Sequence, residues 1–137
     1  MKIVFKIVVS LIGLFIFANG FLFMFSPESV MGHSQISANN AFGFSTIRGI
    51  IGGSMVATGL LSLWAIFKSK LELLHPVVII LLGWTLGRLL SLFMDGFDIN
   101  VILGGIAISL FMAVVLSFAH KVLSKEIVEQ AHVISQQ

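Results

Sequence analysis

The chain contains no cysteine and no tyrosine, only two prolines, and charged residues at 10% of its 137 positions. The missing cysteine excludes disulfides, thiolate nucleophiles and thiolate metal sites. With tyrosine absent, the 13 phenylalanines and two tryptophans are mostly apolar bulk. None of the six acidic residues falls inside an apolar run, which argues against a proton-coupled transporter, since that usually needs a titratable group at membrane depth. There is no serine in a glycine elbow and no HExxH, so nucleophilic and zinc-protease chemistry have no support. The eight lysines and arginines, for a net charge of +2, are too dispersed for a nucleic-acid footprint, and no nucleic-acid partner is expected.

Hydrophobicity fills the space those absences leave. Apolar residues make up 58% of the chain and the mean hydropathy is +1.09, above the ~45–50% apolar content of soluble domains. Four apolar runs, 4–25, 47–67, 76–94 and 99–119, approach the roughly 20 residues a membrane-spanning helix needs. They predict an all-α membrane protein, a four-transmembrane-helix bundle forming a single transmembrane domain over 1–137, with the lipid bilayer as its surroundings. Lys2 and Lys6 ahead of the first run, and Ala18-Asn19-Gly20 within it, resemble a secretory leader. The run continues to Phe25, however, and reads as a retained helix.

Between the first two spans lies a polar stretch, 26–46, opened by Ser26-Pro27-Glu28 and long for a connection in a compact bundle. After the fourth span, the tail 120–137 spaces Ile127, Val128, Ala131 and Ile134 as an amphipathic helix lying on the membrane surface would. With four spans, Lys2, Lys6, Lys68, Lys70, Lys121 and Lys125 fall on one side and Arg48 and Arg88 toward the other. The positive-inside rule then makes both termini cytoplasmic and the 26–46 loop external.

Small residues mark expected helix contacts. Gly49 and Gly53 form a GxxxG pair, Gly83 and Gly87 repeat that spacing on the third span, and Gly105, Ser109, Ala113 and Ser117 recur every four residues on the fourth. Gly13 and Gly20 lie one heptad apart on the first span, and Arg48, Gly52, Met55 and Gly59 share one helical stripe on the second. That stripe predicts an Arg48 pointing into the bundle.

The arginines are the main candidates for chemistry, because charges inside membrane spans are costly. On the third span Trp84, Thr85, Arg88, Ser91 and Asp95 lie along one broad stripe, with Trp84 placed to stack on the guanidinium. Antiparallel packing would bring Arg48 and Arg88 to one outer pocket. There they either pair with Asp95, Asp98 or Glu28 and pin the helices together, or offer forked guanidiniums to an external carboxylate, phosphate or lipid headgroup. His75 and His120, at the start of the third span and the end of the fourth, form a weaker candidate pair that could ligate haem. No metal site is expected otherwise.

Three features together resemble one family: Arg48-Gly49-Ile50-Ile51-Gly52-Gly53, Gly87-Arg88-Leu89-Leu90-Ser91 followed by Asp95-Gly96, and Ser26-Pro27 after the first helix. That family is a group of small bacterial four-helix membrane proteins, domain of unknown function 4345, distantly similar to DoxX-like proteins, some of them associated with quinone-linked oxidation. The resemblance implies a four-helix fold in a bacterial inner membrane and no established activity. Relatives often carry an acidic residue just before the first arginine and another in the last helix, where this chain has Ser45-Thr46 and Gly104-Gly105. The expectation is a non-enzymatic membrane module that binds an anionic small molecule or lipid at Arg48 and Arg88, or packs as a subunit against a membrane-protein partner or its own copies. The alternatives are a quinone- or haem-associated redox accessory protein and a small oligomeric transporter or channel. No cofactor is assigned.

Overall fold

The computed structural model describes residues 2–34, 40–94 and 99–134, which are helices joined by short turns, with no strand among them. In lipid a backbone must satisfy its own hydrogen bonds, which forces long apolar runs into helices. Helix α1 spans Lys2–Phe25 and stops where Pro27 opens α2, Pro27–Ser34. Proline suits that first position because its missing N–H would have no helical partner anyway. Helix α3, Ala41–Thr46, is capped by Asn40, whose side-chain oxygen accepts the Gly43 N–H at 2.8 Å. The described parts of the expected 26–46 loop are therefore mostly helical.

From α3 the chain passes without a break into a π-helical stretch, Ile47–Gly52, and then α4, Gly53–Phe67. The apolar helix so formed covers Ala41–Phe67 and begins earlier than the sequence pattern suggests. Ser69 turns the chain with a left-handed φ of 53°, and a short 3-10 turn, Leu71–Leu73, leads into α5, Leu74–Met94. Helix α6 runs 36 residues, Ile99–Ile134, about 54 Å at 1.5 Å per residue. The tail thus continues the fourth helix beyond the ~30 Å hydrocarbon thickness and is not a separate helix laid on the surface. Its sequence explains this, since no glycine or proline follows Gly105.

Four helices are long and apolar enough to cross a membrane, and many of their large side chains, such as Ile79 and Phe111, face outward. This is a multi-pass membrane protein. The helices form two antiparallel pairs, α1 with the π-helical stretch and α4, and α5 with α6. At the end where α1 begins, here the terminal end, the pairs share one core that includes Val9, Ala65, Leu74, Val77, Leu116 and Ala119. Phe5 and Phe118 meet there at 5.9 Å. Toward the opposite, loop end, the buried apolar cluster among the described residues includes Phe23 and Ile47 with Val30, Phe44 and Ile51, from the first pair and its connecting helices.

The first pair is held by glycine on both sides. A methyl carbon on Gly59 would lie 2.6 Å from the Phe17 nitrogen and 2.7 Å from the Gly13 oxygen, and one on Gly20 would lie 2.6 Å from the Val56 nitrogen. One on Gly52 would lie 3.0 Å from the Met24 nitrogen. Gly13 thus opposes Gly59 and Gly20 opposes Gly52, at seven-residue steps running in opposite directions. Ser62 lines the same interface opposite Gly13, and both it and the buried Thr58 spend their protons on the carbonyls of Thr58 and Ser54, four residues back. Among the described residues the expected Gly49/Gly53 seam is not a helix contact: a methyl on Gly49 meets nothing within 4 Å, and one on Gly53 meets only its own helix, the Arg48 oxygen at 3.9 Å. A methyl on Gly83 or Gly87 likewise meets nothing within 4 Å among the described residues.

Candidate functional site

The π-helical stretch decides where Arg48 goes. Its bonds run from residue i to i+5, which widens the turn and rotates the side chains away from the stripes of ideal α-helical spacing. Ile47 and Gly52, five apart, are both buried. The buried face of the second span therefore passes through Ile47, and Arg48 is turned aside and exposed. The inward-pointing Arg48 expected from ideal α-helical spacing is corrected by this wider turn. Arg48 instead borders a groove of about 520 Å³ whose walls include Met24 and Phe25 from α1, Phe44 and Ser45 from α3, and Gly49. Phe44 and Ser45 lie one turn ahead of Arg48, a helical spacing that would have marked them in the sequence as its neighbours.

Arg88 takes a different route. It lies across Gly105 of α6, where a methyl carbon would come 2.7 Å from its Nε. Nη1 reaches the Ser109 hydroxyl at 3.5 Å, the long limit for a hydrogen bond. Ser109 is itself buried and sits 2.9 Å from the buried Thr85 hydroxyl. Ser109 also lies 2.9 Å from the Gly105 carbonyl and Thr85 2.9 Å from the Leu81 carbonyl; each hydroxyl has one proton, so when one of the two donates to the other, the second keeps its bond to its own carbonyl. The Gly105, Ser109 and Ala113 seam does face α5, but its first member serves as the floor for an arginine. Ser117, the next member, is exposed.

The residues around Arg48 come from α1, α3 and the π-helical stretch, and those holding Arg88 come from α6, so the two sets share no residue. Among the described residues, then, no side chain joins the two arginines in the single pocket expected. Trp84 packs against that core. Among the described residues no aromatic ring stacks on a guanidinium, so the expected Trp84 stack is not made. Ser91 belongs to α5, but its side chain, like the whole of Asp95 and Asp98, lies outside the described residues.

The two histidines do meet. The rings of His75 and His120 stand edge to face with centroids 4.2 Å apart, and His75 Nδ1 lies 3.2 Å from the Glu72 carbonyl. Rings in such contact leave no space for a macrocycle between them, so this pair as it stands does not fit haem. Among the described residues no group of three or more metal-ligating side chains converges.

A model of the family described as Domain of unknown function (DUF4345) matches residues 4–120. The chain belongs to this family. The match takes in all four spans together with Arg48, Arg88, Gly105 and Ser109, and stops at His120, so most of the α6 extension lies beyond it. No characterised protein and no solved structure is detectably similar to this DUF4345 chain.

Proposed function

We propose that the protein is a non-enzymatic membrane module that holds an anionic amphiphile, an acidic lipid or lipid-like small molecule, in the groove beside Arg48. One observation carries the reading: an exposed arginine borders a groove of about 520 Å³ otherwise walled mainly by apolar side chains. That volume is within the ~300–1,000 Å³ of small-molecule sites. Met24, Phe25 and Phe44 suit a hydrocarbon tail, while Arg48, with Ser45 beside it, suits a carboxylate or phosphate. Gly49 adds no side chain to crowd the guanidinium. Arg88, resting on Gly105 and hydrogen-bonded to Ser109, has the geometry of a helix-pinning residue. The lysines clustered at the terminal end favour a cytoplasmic location for both termini, and the family resemblance favours a bacterial inner membrane.

The test is retention of acidic lipid by the purified full chain, read by native mass spectrometry after transfer from native membranes. Counted lipid by lipid, Arg48→Gln should weaken one acidic-lipid binding step about fivefold, the effect of removing one cation near an anionic surface. Retention by Arg48→Gln equal to that of the unmodified protein would remove this function.

A further inference from the structure

A second groove lies nearer the terminal end, on the face shared by α5 and α6. It encloses about 280 Å³ and is walled by Val78 and Leu82 from α5 and by Leu110, Val114 and Phe118 from α6, with Lys121 as its charged member. On α6 the lining follows one helical stripe that is apolar at Leu110 and cationic at Lys121. Those two residues are eleven apart, a rise of about 16 Å. One leaflet of a bilayer, half of the ~30 Å hydrocarbon core, is about 15 Å deep. The groove therefore matches an acyl chain in length, and its lysine comes level with the headgroups. Lys125, exposed one turn further on, carries the positive charge past the groove's end. Among the described residues, no acidic one lines it.

We infer that this face of α5 and α6 is a binding site for an anionic phospholipid of the leaflet nearest the chain termini. One acyl chain lies along the Leu110 to Phe118 stripe and the phosphate sits on Lys121 and Lys125. The length match selects a lipid over a short solute, and the charge selects an acidic headgroup over a zwitterionic one. The site is independent of the Arg48 groove, with which it shares no residue.

The experiment uses the full chain carrying Arg48→Gln, so that the first groove does not contribute. The protein is placed in nanodiscs of equal phosphatidylglycerol and phosphatidylcholine, and the lipids it retains are counted by native mass spectrometry. The expected result is retention of phosphatidylglycerol over phosphatidylcholine, reduced about fivefold by Lys121→Gln and further by adding Lys125→Gln. Ser117→Phe puts a ring into the groove at an exposed position and leaves both lysines, and it should lower retention as well. Leu82→Trp provides a second way to fill the groove should Ser117→Phe fold poorly. The inference is overturned if the two lipids are retained equally. It is also overturned if both groove-filling variants fold and keep the lipid, because charge alone would then account for any lysine effect.

Discussion

Replacing Gly59 by alanine tests one of the closest helix contacts among the described residues. The added methyl would sit 2.6 Å from one backbone atom of α1 and 2.7 Å from another, whereas relaxed contacts between heavy atoms begin at about 3.5 Å. The helices must therefore part by roughly 0.9 Å at this level, because neither obstructing atom can rotate away. Overpacking costs about 1–3 kcal/mol in general, and obstruction by backbone on two sides puts Gly59→Ala at the upper end. Alanine regains about 1 kcal/mol of helix propensity, leaving a net loss of about 1–2 kcal/mol. The matched control is Gly83→Ala, where the methyl meets nothing within 4 Å and the same propensity gain, up to about 1 kcal/mol, stands unopposed. Unfolding of both variants in bicelles, followed by steric trapping, measures the difference. A Gly59→Ala protein as stable as Gly83→Ala would refute the glycine-to-glycine packing of α1 on α4.

Two further outcomes follow from other parts of the fold. Thr85→Val keeps the side-chain shape but removes the hydroxyl that meets Ser109 at 2.9 Å, and Ser109 keeps its bond to the Gly105 carbonyl; the same unfolding assay should show a loss of about 0.6 kcal/mol and no more than about 1.7. The chain has no cysteine of its own, so single cysteines report topology cleanly. With both termini cytoplasmic, a membrane-impermeant maleimide added to intact cells labels Ser45→Cys, but labels Ser69→Cys only after permeabilisation. The reverse pattern would invert the orientation.

The four spans are legible in the sequence because crossing a bilayer is a requirement on run length and composition, both one-dimensional properties. The heptad pair Gly13 and Gly20 and the stripe through Gly52 and Gly59 are legible too, since on those stretches ideal helical spacing holds. Arg48 is where that reasoning fails. The π-helical bonding over Ile47–Gly52 changes which residues align, and neither composition nor periodicity announces it. Choosing among small-residue pairs fails for another reason: Gly49/Gly53 and Gly83/Gly87 have spacing as good as that of the residues actually packed. What decides is which neighbour comes alongside, a property of the assembled bundle. The polar stretch 26–46 hides an Asn40 cap, a readable signal that polarity alone obscures. The Arg88 and Ser109 contact needs the register of α5 against α6, which no single helix contains.

The two helix pairs place opposite demands on their sequences. Between α1 and α4 the surfaces meet backbone to backbone, so any gain of atoms at Gly13, Gly20, Gly52 or Gly59 is resisted whatever its polarity. Between α5 and α6 the meeting is made by hydroxyls and a bendable arginine, which can yield to extra bulk but lose their connection when a donor is removed. Random substitution would thus be filtered by volume along one seam and by hydrogen-bonding capacity along the other. A saturation screen for folded protein should separate the two seams on that basis alone, with alanine tolerated at Gly105 and rejected at Gly59.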